Sequence, residues 1–365
     1  MKILIAPDKF KGSLTASEVC DAVEEGVLKK NPDAEITKLP LADGGEGTVQ
    51  ILTQFFHGTI VKVKVHGPLF EEVEAEYGTD NGTTAFIEMA SASGLQLLRK
   101  EKRNPLYTTT LGTGELIHHA IQHGASKIIL GIGGSSTNDA GIGMASALGF
   151  KFFNDKGELL KPVGENLVHI RRIEAPLLRL NVTALCDVNN PLYGPNGAAH
   201  IYGPQKGATP DAVELLDRGL MNFARVAEKT FGKPADFPGA GAGGGIAGGA
   251  SVFFDLDVRP GIAFLMETLE VYRQIAASDL VITGEGKIDR QTLAGKVVGS
   301  VAKQAMTLGK KVVAICGVCE LRKNEMEKIG ISEVVSLVDP FTGPEEAIRN
   351  ARELIVSRLS SRAGL

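Results

Sequence analysis

Short apolar runs alternate with amphipathic helical stretches along most of this 365-residue chain. Lys2 to Ala6 reads as a buried strand. Thr15-x-x-Glu18 is a capping box opening a helix with Val19, Val23 and Val27 on one face. Glu35 to Leu41 is a second strand, and a helix is expected after Gly47. Ile128-Ile129-Leu130 is strand-like again and leads through glycines into a helix expected from Asn138 to Leu148. Helical patterns also cover 113–123, a long stretch opened by Thr209-Pro210, Gly261 to Ala276, 296–308 and Glu345 to Leu359. Asn181 to Cys186, Leu280 to Thr283, Lys311 to Cys316 and Val334 to Val338 read as strands. This alternation argues for an α/β fold with parallel strands.

Segments 60–66, 72–78 and 83–89 depart from that pattern. Apolar and polar residues alternate there (Val61, Val63, Val65; Val73, Ala75, Tyr77), with turns at Gly67-Pro68 and Asn81-Gly82, which predicts an antiparallel region. A parallel pattern at both ends, interrupted in the middle, suggests one domain inserted into another. The expected division is 1–60 plus 265–365 for a discontinuous parallel-sheet domain and 61–264 for an inserted α/β domain with a mixed sheet.

Composition narrows the function. The net charge is −4, no Lys/Arg run stands out and Trp is absent, so the footprint of a nucleic-acid binder is missing. No apolar stretch approaches the ~20 residues of a membrane span. The apolar run in the leading MKILIAPDKF is too short for a signal sequence, which makes the cytoplasm the expected compartment. Four cysteines in so long a chain form no disulfide framework. Cys316-Gly-Val-Cys319 has no second pair for zinc, and Cys316 closes an apolar run, so both read as structural. The 44 glycines exceed the usual ~7% share and cluster at 44–47, 131–143, 239–249 and 284–286. The 239–249 cluster reads as a loop under a nucleotide, a hinge or tight packing.

The glycine clusters carry the candidate chemistry. Gly131, Gly133 and Gly134, followed by Ser135, Ser136 and Thr137, leave an apolar strand for a helix. Backbone N–H groups, hydroxyls and a helix N-terminus together suit phosphate, although Gly, Ser and Asn also make ordinary loops and caps. The motif is neither a P-loop nor a dinucleotide fingerprint, since it lacks G-K-[ST] and a third glycine.

Five further blocks place charged or amide side chains beside Gly or Pro at strand ends, where open parallel sheets bind ligands. In Ala6-Pro7-Asp8-Lys9-Phe10-Lys11, the lysines can hold a carboxylate or phosphate, and Asp8 can be a base or a metal ligand. Ala42-Asp43-Gly44-Gly45-Glu46-Gly47 precedes a helix start. Cys186-Asp187-Val188-Asn189-Asn190-Pro191 offers a carboxylate and amides for a metal or substrate hydroxyls, or is an Asn-Pro turn. Lys206, in Gly203-Pro204-Gln205-Lys206-Gly207, meets an anion or lies in a plain surface turn. In Thr283-Gly284-Glu285-Gly286-Lys287-Ile288-Asp289, Glu285 or Asp289 suits Mg2+ and Lys287 a transferring phosphate. His118-His119 reads as structural, and no G-x-S-x-G elbow supports a hydrolase. Anion-ready loops without a nucleophile favour phosphoryl transfer.

Taken in order, APDKFKGSLTA, ADGGEGT, GIGGSSTNDAG, CDVNNPL, YGPQKGA and SDLVITGEGKID resemble the bacterial glycerate kinase family (type I, glycerate 2-kinase-like) over nearly the whole chain. Ala140, where many members have glycine, and the wording of the 239–249 loop are small departures. The resemblance implies two α/β domains, one Rossmann- or flavodoxin-like, with the active site in a cleft between them. It implies ATP-dependent, Mg2+-assisted phosphorylation of D-glycerate, typically at the 2-hydroxyl. Lys9, Lys11 or Lys206, with Asn189, would hold glycerate; Asp8, Asp43 or Asp187 would accept the hydroxyl proton. Gly133, Gly134, Ser135, Ser136 and Thr137 would cradle the ATP phosphates beside Gly284 and Glu285. Glu285, with Asp187 or Asp289, would hold Mg2+, and Lys287 would stabilise the moving phosphoryl group. A small-molecule substrate is the expected partner, with neither nucleic acid nor membrane and with a homodimer left open. Phosphorylation at the 3-hydroxyl or of another small hydroxy acid is the alternative. A nucleotide-dependent oxidoreductase or a non-catalytic phosphate-ligand binder is more remote.

Overall fold

The computed structural model describes residues 1–362. Its strands in chain order are β1 (Lys2–Ile5), β2 (Glu35–Lys38), β3 (Thr59–His66), β4 (Glu72–Thr79), β5 (Thr84–Glu88), β6 (Lys127–Gly131), β7 (Lys151–Phe153), β8 (Arg172–Glu174), β9 (Asn181–Leu185), β10 (Asp255–Arg259), β11 (Leu280–Ile288), β12 (Lys311–Cys319) and β13 (Glu333–Ser336). The chain divides into a discontinuous unit, Met1–Asp43 with Ile262–Leu365, and a continuous unit, Gly44–Gly261. Residues 44–60, placed by the sequence pattern with the discontinuous domain, group with the continuous one. Helix Thr48–Phe55 packs there against β3, β4 and β5.

The discontinuous unit holds one parallel sheet, ordered β13-β12-β11-β1-β2. Counting strands within this unit, the order is the flavodoxin-like one. The direction of winding reverses between β1 and β11, the position where ligands gather in such sheets. Its core is built from Ile3, Ile5, Val19, Val23, Ile282, Val313 and Ile315 among others. The capping box at Thr15 and Glu18 forms as expected, and it opens helix Ala16–Lys30.

The continuous unit holds a six-stranded mixed sheet, ordered β10-β9-β6-β5-β4-β3, and a β7-β8 hairpin. The alternating segments become β3 and β4, antiparallel to each other, with β5 antiparallel to β4 and parallel to β6. Helix Pro210–Phe231 starts with Thr209 as N-cap and buries Val213, Leu216, Leu220 and Phe223. No helix among the described residues is long and apolar enough to cross a membrane.

Four expectations need correction. The helix expected from Asn138 is confined to Ile142–Ala147. The Asp139 carboxylate takes the N–H groups of Gly141 and Gly143, and Ala140 and Gly141 are left-handed, so the chain turns before it coils. The strand expected to stop at Thr283 runs on through Gly284, Glu285, Gly286 and Lys287 to Ile288 in β11, and β12 extends beside it to Cys319. Cys316 and Cys319, an odd number of residues apart on one strand, therefore point to opposite faces. The helix expected over Gly261 to Ala276 breaks at left-handed Glu270 into Gly261–Thr268 and Val271–Ala277. The final helix breaks at Asn350 into Pro344–Arg349 and Ala351–Ser360.

Candidate active site

In the discontinuous unit the chain leaving β1 stays hydrogen-bonded to β11. The Ala6 N–H donates to the Ile282 carbonyl and the Asp8 N–H to the Gly284 carbonyl, each at 2.8 Å. Asp8 is thereby fixed at the winding reversal, beside Glu285. The segment after β2 follows the same path, because the Leu41 N–H donates to the Pro7 carbonyl at 2.9 Å. Asp43 arrives close enough for its charge to act on Asp8.

Asp8 is only 8% exposed. Burial raises its carboxyl to about 6 and the Asp43 charge adds to this, against the Lys9 N–H hydrogen bond and the charges of Lys9 and Lys296. Glu285 is 5% exposed and accepts a 2.5 Å hydrogen bond from the Thr292 hydroxyl. Burial raises it to about 7, against Thr292 and Lys296 and with help from Asp8 and Asp289. Two mutually repelling, buried carboxyls form a site short of positive charge. That is the chemistry of a seat for a hard divalent cation, which binds oxygen ligands and supplies the missing charge. Among the described residues no group of three or more Asp, Glu, His or Cys side chains is arranged as a metal cage. Mg2+ fits such a site, since it needs only one or two carboxylates when phosphate and water complete the shell.

The other residues expected in this unit fall at its edge. Lys11 is exposed. The Lys287 ammonium lies 2.8 Å from Glu320 and 3.8 Å from Asp289, with its side chain half-exposed. Asp289 caps the turn that follows, its Oδ1 accepting the Gln291 N–H at 2.8 Å. Sequence reasoning missed Thr292 and Lys296, which come from the segment that folds back behind β11.

In the continuous unit the carboxyl ends of β5, β6 and β9 collect three loops. Gly44, with φ of +88°, lies so close to Gly261 that a Cβ would come within 2.8 Å of its Cα. Gly131 faces the Gly44 carbonyl just as closely. Glu88, at the end of β5, accepts the N–H groups of Gly47 and Val49 at 3.0 Å, tying the start of helix Thr48–Phe55 to the sheet. Asp187 follows β9, is exposed, and its Oδ1 accepts the Gly261 N–H at 2.9 Å. Asn189 is also exposed.

The expected phosphate cradle splits in two. Gly133 and Gly134 are exposed, whereas Ser135, Ser136 and Thr137 are buried. Ser136 is consumed internally: its N–H and hydroxyl both donate to the Ser93 carbonyl, and its own carbonyl accepts from Thr108. A ligand can meet the glycine backbone here, with the serines and threonine serving as its bed. The short helix beyond adds no N-terminal anion site of its own.

Lys206 also departs from expectation. It lies in no surface turn: it is 2% exposed, and its ammonium donates to Ser135 Oγ and the Thr137 carbonyl, each at 2.7 Å. Its role is to fasten the loop from beneath. Burial lowers its amine to about 7 from the ordinary 10.5, with Asp139 opposing the shift. The folded state then binds this proton more weakly than the unfolded chain does. Stability from this group should rise as pH climbs from about 7 towards 10.5. Denaturation midpoints at neutral and alkaline pH are expected to show a smaller alkaline gain in Lys206→Met than in wild type. Identical slopes would remove Lys206 from this role.

The winding reversal with its buried carboxyls in one unit, and the open glycine loop at the carboxyl ends of the strands in the other, are each at a place where α/β sheets bind ligands. Comparison with known proteins gives the family. The glycerate kinase family model matches residues 3–363. A glycerate kinase of Bacillus subtilis (strain 168) is 44% identical over 360 residues, covering 97% of this chain and 94% of that protein. A glycerate 2-kinase of Escherichia coli (strain K12) is 42% identical over 362 residues, covering 97% and 95%. The crystal structure of a putative glycerate kinase 2 from Salmonella typhimurium LT2 superposes with a TM-score of 0.86 at 41% identity, covering 99% of this chain and 96% of that one. The chain belongs to the glycerate kinase family, and it is a kinase enzyme.

Proposed function

We propose that this enzyme transfers the γ-phosphoryl group of ATP to the 2-hydroxyl of D-glycerate, giving 2-phospho-D-glycerate and ADP. The observation that carries the reading is the pair Asp8 and Glu285, two buried carboxyls side by side at the winding reversal, in a chain of this family. Asp8, raised to about 6, is tuned for a general base near neutral pH. Its carboxylate takes the proton as the substrate oxygen bonds to the γ-phosphorus and the bond to the ADP oxygen breaks. Glu285, with the charge of Asp289 acting on it, would hold Mg2+, which when bound would screen the charge of the ATP phosphates. Lys9 and Lys11 hold the glycerate carboxylate. The backbone of Gly133 and Gly134 receives phosphate oxygens, and Asp187 and Asn189 orient substrate hydroxyls. The name of the Escherichia coli relative supports the 2-hydroxyl as acceptor. A cytoplasmic location, where ATP is plentiful, suits the reaction.

Release of ADP by the purified protein tests this directly. Turnover is expected only when D-glycerate, ATP and Mg2+ are all present. Turnover with another small hydroxy acid but none with D-glycerate would keep the kinase and overturn the substrate.

A further inference from the structure

We propose that the cavity at the carboxyl ends of β11 and β12 seats the nucleoside-diphosphate part of ATP, with Arg290 and Arg322 meeting its phosphates. The inference rests on the phosphoryl-transfer reading above and locates the part of the donor that is not transferred.

The cavity lies wholly within the discontinuous unit. Asp289 and Arg290 line it from the turn after β11, and Glu320, Leu321, Arg322 and Glu325 from the turn after β12. The two strands are neighbours and parallel, with Ile288 beside Cys319 at their ends, so both turns leave the sheet on one edge. The Glu320 N–H then donates to the Ile288 carbonyl at 2.8 Å, which holds the turns together at the rim. This is the edge at which parallel sheets take ligands, and β11 is one of the two strands that flank the winding reversal. The cavity measures about 530 Å3, within the roughly 300–1,000 Å3 of pockets that bury small-molecule ligands. D-Glycerate is far too small to fill it, whereas a nucleoside diphosphate is of that size.

The charges in the lining are not equally available. The Lys287 ammonium holds two of the carboxylates, Glu320 at 2.8 Å and Asp289 at 3.8 Å. Asp289 Oδ1 also accepts the Gln291 N–H at 2.8 Å, and Glu325 Oε2 accepts the Arg322 backbone N–H at 2.9 Å. Every carboxylate of the lining is thus engaged by a donor beside it. Arg290 and Arg322 differ: both are exposed, and among the described residues neither guanidinium takes part in an ion pair. A guanidinium meets phosphate oxygens through paired N–H groups and keeps its charge throughout the physiological range. Two of them facing one cavity, with the nearby acids already occupied, suit the α- and β-phosphates, and Leu321 supplies apolar wall for the base.

Titration calorimetry of MgADP into the full chain tests the seat without turnover. Arg290→Gln and Arg322→Gln should each weaken ADP about tenfold or more, and the double variant about 10²-fold. In turnover assays KM for ATP should rise by the same factors, while kcat and KM for D-glycerate change by a few-fold at most. Lys323→Gln removes a neighbouring exposed charge that does not line the cavity and should bind ADP as wild type does. Melting curves identify any misfolded variant; Arg290→Lys and Arg322→Lys then replace it, each expected to weaken ADP several-fold because an ammonium lacks the paired N–H groups. ADP affinity within a few-fold of wild type in the folded double variant would overturn the seat, as would a loss that Lys323→Gln reproduces. ADP binding that depends on both arginines in an enzyme inactive towards D-glycerate would keep the seat and overturn the proposed substrate. Failure of wild type to bind MgADP would overturn the seat and the phosphoryl donor together.

Discussion

Asp8→Asn is expected to lower kcat by about 10²–10⁴-fold, the usual contribution of an aligned base, while leaving the fold intact. The substitution keeps the shape of the side chain and the Asp8 N–H bond to the Gly284 carbonyl, which is backbone to backbone. It removes the group that takes the proton. The wild-type profile of kcat/KM should fall below pH about 6, because burial and Asp43 raise the carboxyl to about that value and the base works only when ionised. In the variant the same limb should vanish, leaving a flat residual rate. Stability moves the other way. A carboxyl whose folded pKa is raised from 3.8 to about 6 stabilises the fold at acid pH, and that contribution is lost as pH rises through about 6. At neutral pH Asp8→Asn should therefore melt no lower than wild type. A variant that melts as wild type and keeps near-normal kcat would exclude Asp8 as base.

Gly244→Ala carries the largest expected cost in stability, about 3–5 kcal/mol from left-handed strain plus a hard clash. Gly243, Gly244 and Gly245 are left-handed in succession, and the Gly244 carbonyl accepts the Ala140 N–H. A Cβ on Gly244 would lie 1.9 Å from the Thr137 carbonyl oxygen. That same oxygen receives the Lys206 ammonium, so the substitution pushes on the bed beneath Gly133 and Gly134. Gly232→Ala separates the two causes. Gly232 is left-handed at φ +67° but has nothing within 4 Å of its Cβ position, so it should lose only the strain, about 1–2 kcal/mol. Urea unfolding of both variants checks the comparison. Equal losses would mean that Gly244 matters for its backbone angle alone.

The 239–249 glycines thus find their reason in packing. Their sequence offered a nucleotide loop, a hinge or tight packing, and no local pattern separates these, because the oxygen that excludes a side chain belongs to a residue more than a hundred positions away. The α/β alternation was legible for the opposite reason: strand and helix periodicities are local, and the capping box at Thr15 and the Pro at position 210 mark their starts. Where glycine was read as a turn, at Gly284 and Gly286, the chain stays in strand. Gly286 lies beside Gly317 on β12, so closely that a Cβ on Gly317 would come within 2.7 Å of the Gly286 carbonyl oxygen.

The candidate site was legible by residue type and less so by role. Asp8, Asp43 and Glu285, from three separate motifs, gather in one unit, as strand-end positions in a parallel sheet imply. Lys206 sits in a Gly-Pro-Gln-Lys-Gly stretch that reads as surface, yet the ammonium is buried beneath the 133–137 loop through contacts seventy residues distant. Lys296, whose charge acts on Asp8 and Glu285, gave no signal because it lies outside the charged motif, past the left-handed turn at Gly295.

Phosphorus NMR of the product formed from Mg-ATP and D-glycerate tests the central claim most directly. Phosphate on carbon 2 couples to a single methine proton and is expected to give a doublet, appearing in step with ADP. A triplet, from phosphate on the methylene of carbon 3, would contradict the proposed acceptor, and ADP release accompanied only by inorganic phosphate would contradict the transfer itself.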